Sequence, residues 1–452
     1  MRIIIVGCGK IGTTMLSSLV DEGHDVIAID DDPLALQKIS DIYDIMCLYG
    51  NGADSDILLE ADVKEADLFA AVTGSDELNM LSCFLAKRMG AKHTICRIRN
   101  PEYNDQSLSF LRQQLELSLS INPELLAAKE IFNILKLPGA LNIETFSRRS
   151  FEMIELKLRE DSPLVGIPLS GLRQKYKASF LVGVVRRATE IHIPDGNFVL
   201  QAGDHIGITA PSSEGERFFK MLGMLKKQAR NVMILGGSHT AYYLAKMLLS
   251  IGTRVIIVEK DHARCKEFSE ELHGAVIIEG DGSAQEVLLE EGLSSMDAFV
   301  ALTGMDEENI LISIFATAQK VPQVITKINR GALNSMASGL GLDCIISPRK
   351  IISDRVCQYV RALQSSDGGE METLYTLMND KVEALEFIVS ESFPHKNVPL
   401  KDLSLKHNIL IAGIIRGRKT LLPAGDDCIM ANDHVIILAK EQRVTSLMDI
   451  FK

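Results

Sequence analysis

"RIIIVGCGKIG" occupies residues 2–12, and its reading decides the fold. An apolar run from Ile3 to Val6 meets Gly7-Cys8-Gly9-Lys10-Ile11-Gly12, the pattern of a strand that turns into a helix around a phosphate. In that pattern Gly7 lets the chain turn tightly, Gly9 lets backbone approach a pyrophosphate, and Gly12 lets the helix pack on the strand. The helix start offers free N–H groups and a positive dipole end. Asp30 closes the next apolar stretch, 23 residues after Gly7, where a carboxylate would accept bonds from ribose hydroxyls. Each such charge-assisted bond is worth about 1.5–3 kcal/mol. A 2′-phosphate would instead meet Asp30, Asp31 and Asp32, so the loop favours NAD over NADP. GxGxxG alone occurs in tight strand–helix turns that hold no ligand, so the reading depends on context.

The context is a repeat. "IIIVGCGKIGTTMLSSLVDEGHDVIAIDDD" at 3–32 matches "VMILGGSHTAYYLAKMLLSIGTRVIIVEKD" at 232–261, with Gly7 falling on Gly236 and Asp30 on Glu259. Further on, "GNGADSDILLEADVKEADLFAAVTGSDELN" at 50–79 matches "GDGSAQEVLLEEGLSSMDAFVALTGMDEEN" at 280–309. Thr73 and Gly74 fall on Thr303 and Gly304, Asp76 on Asp306, Asn79 on Asn309, and Arg97 on Lys327. The segment at 169–208 matches that at 400–438, bringing His205 onto His434. The chain is therefore two copies of an α/β unit, each followed by a smaller β-rich unit. In the second loop, Gly236-Gly237-Ser238-His239-Thr240-Ala241, Ser238 and Ala241 replace two glycines while Glu259 keeps the carboxylate.

Within the first α/β unit, strands are expected at 2–6, 25–29, 45–48, 68–72 and 94–98, with helices at 11–22, 33–41, 55–61 and 77–89. Such alternation implies a doubly wound parallel sheet with helices on both faces. Asp76 is the expected N-cap of the fourth helix. Asn122-Pro123 and Ser347-Pro348 open a matching exit helix in each half, leading out of the sheet. "MLKKQAR" at 224–230 and "QSSDGGE" at 364–370 read as linkers.

Composition narrows the function. The 452 residues carry a net charge of −12, which disfavours nucleic acid as a partner. None of the 8 cysteines forms CxxC and no Cys/His cluster has zinc spacing; the apolar start Ile3–Val6 is too short for a signal h-region, so no signal peptide is expected and the cysteines read as reduced cytosolic thiols. The apolar runs "ASFLVGVV" and "NILIAGII" fall far short of the ~20 residues a spanning helix needs, so both read as buried strands. A dehydrogenase needs an acid/base group beside its nicotinamide. The β-rich units offer His192, His205, His395, His407 and His434, and the repeated His205 and His434 read as strand-edge residues rather than catalysts. No paired carboxylates, nucleophile elbow or metal cluster stands out.

Tandem units of "VGCGKIG…AID…GNGAD…AVTGSDELN…RIRNPEY", each followed by a β-rich unit ending in "GDHIGI"-like sequence, resemble the regulatory family of bacterial Trk potassium-uptake systems, built from two RCK domains. The resemblance covers essentially the whole chain. It implies nucleotide-binding lobes at 1–138 and 229–365 and C-terminal lobes at 139–225 and 370–452. It implies a non-enzymatic protein, cytoplasmic and peripheral on the inner face of the membrane, docked on a potassium-translocating (TrkH-like) subunit. It implies a homo-oligomer, a tetramer, that binds NAD(H) and ATP or ADP. Its nucleotide positions carry over onto Gly7, Cys8, Gly9, Lys10, Ile11, Asp30, Asn51, Thr73, Gly74 and Arg97. In the second half they fall on Gly237, Ser238, His239, Glu259, Asp281, Thr303 and Lys327. The alternative from another class is a soluble NAD-dependent oxidoreductase; two copies of a small module, rather than one substrate domain, favour the regulator.

Overall fold

The computed structural model describes residues 1–101, 103, 105–136, 140–146, 151–176, 180–221, 229–364, 369–378, 381–442 and 444–452. The first α/β unit runs β1 (Arg2–Val6), α1 (Lys10–Asp21), β2 (Asp25–Asp30), α2 (Pro33–Ser40), β3 (Met46–Tyr49) and α3 (Ser55–Glu60). It continues with β4 (Leu68–Ala71), α4 (Asp76–Met89), β5 (His93–Arg97), α5 (Asp105–Gln114), β6 (Leu119–Ile121) and the exit helix α6 (Pro123–Lys136). Its strands are ordered β3-β2-β1-β4-β5-β6, all parallel. Ile4 pairs with Ile27 on one side and Phe69 on the other. Ile3, Ile4 and Ile5 are buried on both faces, as β-branched residues are in a sheet covered by helices.

The first β-rich unit comprises β7 (Ala140–Phe146), β8 (Phe151–Lys157), α7 (Leu169–Tyr176), β9 (Leu181–Arg187), β10 (Glu190–His192), β11 (His205–Pro211) and α8 (Ser212–Met221). The second α/β unit follows as β12 (Asn231–Leu235), α9 (His239–Ser250), β13 (Arg254–Glu259), α10 (His262–Glu271), β14 (Val276–Glu279) and α11 (Gln285–Glu290). It is completed by β15 (Ala298–Ala301), α12 (Asp306–Ala318), β16 (Gln323–Lys327), α13 (Asn334–Gly339), β17 (Ile345–Ile346) and α14 (Pro348–Gln364). The last unit is β18 (Gly369–Leu377), β19 (Val382–Val389), β20 (Ile409–Arg416), β21 (Lys419–Leu421) and β22 (His434–Lys440). Its sheet, β18-β19-β22-β20-β21, is antiparallel and repeats the order β7-β8-β11-β9-β10 of the first. The second parallel sheet, β14-β13-β12-β15-β16-β17, likewise repeats its twin. The fold class read from the repeat is the one observed. The two apolar runs enter β9 at Leu181 and β20 at Ile409, and among the described residues no helix is long and apolar enough to cross a membrane.

The chain divides into two compact units. One holds residues 1–129, 329–331 and 346–357; the other holds the remainder. In the first, Ser353 on α14 is hydrogen bonded to Ser18 on α1 at 2.7 Å, with Ile352 and Val356 buried beside it. The exit helix of the second half thus meets helix α1 of the first half, which the expectation of a helix simply leading out of its own sheet did not include. In the other unit the two β-rich sheets share one core, in which Phe146, Phe151 and Val184 meet Val382, Ile436 and Leu438. The helix α4 is capped by Ser75, whose hydroxyl accepts from the Leu78 amide at 3.2 Å, and not by Asp76. Asp76 is drawn away because its carboxylate accepts from the Arg99 and Asn100 amides, each at 2.8 Å. Of the two linkers, residues 224–228 and 365–368 lie outside the described residues.

Candidate functional site

The first glycine loop joins β1 to α1. Gly7 has φ +96°, and a Cβ there would stand 2.8 Å from the Thr73 amide nitrogen. A Cβ on Gly12 would fall 1.8 Å from the Gly7 carbonyl oxygen, so this turn exists only with glycine there. Gly9 and Gly74, by contrast, face open space, with nothing within 4 Å of an added Cβ. Gly9 is the N-cap residue of α1 and brings no side-chain cap, so the helix presents its first amides without one.

Asp30 ends β2 beneath this opening. Its carboxylate accepts from the Cys8 amide and from the Asp32 amide, the latter at 2.8 Å. It therefore fixes the loop, and a carboxylate retains lone pairs for further donors. The Cys8 thiol is pushed up to about 12 by burial, then by the Asp30 charge and Cys47, which keeps it neutral and unreactive. Asn51 caps its own turn, accepting from the Ala53 amide at 2.9 Å.

At the end of β4, Thr73 is held through both its amide (2.8 Å) and its hydroxyl (2.7 Å) by the Oδ1 of Asn79. Asn79 is fully buried and spans to β5 through the Arg97 carbonyl at 3.0 Å. Arg97 is turned inward. Its guanidinium donates to the Thr73 carbonyl at 3.3 Å and meets Glu124 at 3.4 Å, while its Nε is buried without a hydrogen-bond partner. Burial lowers its pKa, against the pull of Glu124. Lys10 and Ile11 open α1 at the rim. The loop, Asp30, Thr73 and Gly74 thus converge at the C-terminal edge of the sheet, on either side of the point where strand order reverses between β1 and β4. A cradle open above Gly9, an uncapped helix start and an orphaned guanidinium nitrogen fit a dinucleotide.

The second loop is built alike and closed differently. Glu259 accepts from the Gly237 amide and from the Asp261 amide, the latter at 2.8 Å, as Asp30 does with Cys8 and Asp32. Thr303 is held by Asn309 at 2.9 and 2.8 Å, repeating the Thr73 arrangement. But Ser238 caps α9, accepting from the Ala241 amide at 3.3 Å, so this helix start already has a partner. Arg264, standing where the first half has Ala35, donates from Nε to the Gly237 carbonyl at 2.6 Å and pairs with Glu267 at 2.6 Å. Lys327 is buried and donates to the Leu302 carbonyl at 3.1 Å. Asp281 caps its turn through the Ser283 amide, and His239 begins α9. Sequence reasoning missed Arg264, for which no motif exists. It passed over Asn79 and Asn309, although their alignment in the repeat was a usable signal.

His205 and His434 lie at the first residues of β11 and β22, at the ends of the central strands of their sheets and not on edge strands. His205 Nδ1 lies 2.8 Å from Arg186 Nη2. Burial first, then the Arg186 charge, lower its pKa to about 4, with Lys157 acting in the same sense and Asp343 and Asp204 opposing. A histidine with a depressed folded pKa stabilises fully above its unfolded value and costs stability as pH falls. The chain is therefore expected to lose stability between pH 6.5 and about 4, and His205→Gln to flatten that limb. Urea midpoints measured across this range, unchanged in slope by the substitution, would contradict the assignment.

These features define tandem nucleotide-fold lobes, each with its own antiparallel C-terminal lobe. The TrkA-N domain family matches residues 3–113 and 232–348, and the TrkA-C domain family matches 153–223 and 385–452. A Trk system potassium uptake protein TrkA homolog from Archaeoglobus fulgidus is 32% identical over 452 residues, spanning 100% of both chains. The chain belongs to the TrkA family of Trk potassium-uptake proteins. Among solved structures, the GsuK RCK domain aligns over 97% of this chain and 92% of its own, with TM-score 0.65 and 15% identity. The GsuK channel bound to NAD aligns over 97% of this chain and 77% of its own, with TM-score 0.65 and 13% identity. Both likenesses are of fold.

Proposed function

We propose that this chain is a nucleotide-sensing regulatory subunit of a membrane potassium-uptake transporter, binding NAD(H) at its first glycine loop. The observation that carries the reading is the contrast between two otherwise matched loops: α1 starts uncapped over Gly9, whereas α9 is capped by Ser238 and crossed by Arg264. In this reading the amides following Gly9 receive the pyrophosphate and Asp30 the adenosine ribose. Thr73 and Gly74 face the far half, and Asn51 the adenine. The dinucleotide can supply hydride chemistry, but no acid or base group of the described residues is assigned to it. The second set, Gly237, Ser238, His239, Glu259, Asp281, Thr303 and Lys327, takes ATP or ADP, with Arg264 as an added cation for phosphate. That a related channel has been solved with NAD supports the ligand class.

The chain acts as a homo-oligomeric ring, a tetramer, on the cytoplasmic face of a TrkH-like partner. Ligands shift its conformational equilibrium through differential affinity for two states. A coupling of about 1–3 kcal/mol gives a 5–150-fold response. The test is potassium flux in vesicles carrying partner and this chain, with NADH and ATP varied separately. Flux should respond to at least one nucleotide. Indifference to both while the proteins remain bound, or steady NADH oxidation abolished by a loop mutation, would overturn the regulator reading.

A further inference from the structure

We propose that the second C-terminal lobe carries a divalent transition-metal site, of the zinc class, formed by Glu372, Glu386 and His434. One ligand atom from each lies within 4.8 Å of the other two. The fold explains the convergence of three residues distant in sequence. Ile436 is the cross-strand partner of Glu386, which places His434, two residues back on β22, diagonally beside Glu386 on the same face. On β18 the register skips between Met371 and Thr373, so Glu372 occupies a bulge, the device that re-aims a side chain out of the regular alternation. Gln358 Nε2 pins that bulge by donating to the Glu372 carbonyl at 2.8 Å.

Glu386 is 0% exposed, which is unusual for a carboxylate, and is fully oriented. Thr373 donates to its Oε2 at 3.1 Å, and its Oε1 lies 2.8 Å from His434 Nδ1. The first contact is the kind of outer-shell bond that aims a metal-ligating carboxylate. The second holds one shared proton, whose place a cation can take. One imidazole and two carboxylates suit zinc and its neighbours, whereas magnesium and calcium call for six or more oxygens.

The duplication supplies an internal comparison. By the same strand registers, the first lobe holds Glu155 and His205 at the positions of Glu386 and His434. There the bulge residue is Leu141 instead of Glu372, and Arg186 stands where the second lobe has Ile415. Arg186 lies against His205, so the first lobe places a fixed cation where the second can take a metal. The third ligand and the loss of the blocking arginine occur together, in one lobe only.

The test is calorimetry of the full chain with zinc chloride, paired with cobalt(II) absorption in the visible range, which reports coordination geometry. One metal per chain is expected. Glu372→Gln and His434→Gln should each weaken binding by at least about 10–100-fold. Glu155→Gln, in the first lobe, should leave it unchanged, as should Asp30→Ala, which separates this site from nucleotide binding. Glu372 is exposed, so its substitution leaves the fold intact and the result interpretable. Absence of binding, or equal binding by wild type and both ligand variants, would overturn the proposal.

Discussion

Asp30→Ala is expected to weaken NADH binding by roughly 30–1000-fold, while Glu259→Ala leaves NADH affinity near wild type. The magnitude follows from two roles. A carboxylate accepting from ribose hydroxyls contributes about 1.5–3 kcal/mol per charged bond. In addition, Asp30 ties down the loop itself through the Cys8 and Asp32 amides, so its removal also loosens the cradle before any ligand arrives. Together these give about 2–4 kcal/mol, at about 1.4 kcal/mol per tenfold. Asp30→Asn removes the charge but keeps one accepting oxygen, so it can hold one of the two amides, Cys8 or Asp32, that the carboxylate holds together. It should fall between wild type and alanine. Calorimetry returning equal affinity in Asp30→Ala and wild type would remove the first loop as the NAD(H) site.

The parallel sheets were legible because their determinants are local. Ile3-Ile4-Ile5-Val6 is a run that only a sheet covered on both faces buries, and Gly7 and Gly12 are demanded by one turn. The expected strands at 2–6 and 25–29 are observed as Arg2–Val6 and Asp25–Asp30. Capping was less legible: Ser75 and Asp76 are both good N-cap types, and the choice is made by the Arg99 and Asn100 amides more than twenty residues away.

Periodicity says which face of an element is buried but not what covers it. Thus α14 reads as an amphipathic helix, and nothing local says that Ser353 will meet Ser18. The same limit hid Arg264, which acts on a loop 27 residues earlier in sequence. It also hid Glu372, Glu386 and His434, which have no ligand spacing in the chain and meet only through strand register. Asn79 and Asn309 were recoverable, because two copies of one motif show what a single copy cannot.

Arg187→Ala is expected to lower stability by about 3 kcal/mol, and Asp204→Ala by less. Asp204 is 1% exposed and lies just before β11, where it accepts from Arg187 Nε at 2.9 Å, Arg187 Nη2 at 2.8 Å and the Gln201 amide at 2.8 Å. Asp433 and Arg416 repeat this corner, at 2.9 and 2.8 Å, with the Met430 amide as third donor. Removing one partner of a buried pair costs about 3–5 kcal/mol because the other charge is stranded. The lower end applies since the Arg187 side chain is 34% exposed and partly screened. The asymmetry follows from burial: losing Arg187 strands a buried carboxylate, whereas losing Asp204 leaves a cation that can turn to water. A double mutant should therefore resemble Asp204→Ala alone. Burial raises the Asp204 pKa, but the bonds from Arg187 and Gln201 outweigh it and hold the carboxyl below its ordinary value. A depressed folded pKa stabilises above the unfolded value of about 3.9, and that contribution is lost as pH falls through the folded one. Urea midpoints at pH 7 for the two single variants and the double would check the order. Equal losses from Arg187→Ala and Asp204→Ala would show that the corner is held by packing around Phe198, over which Arg187 lies at 5.0 Å, and not by the stranded-charge effect.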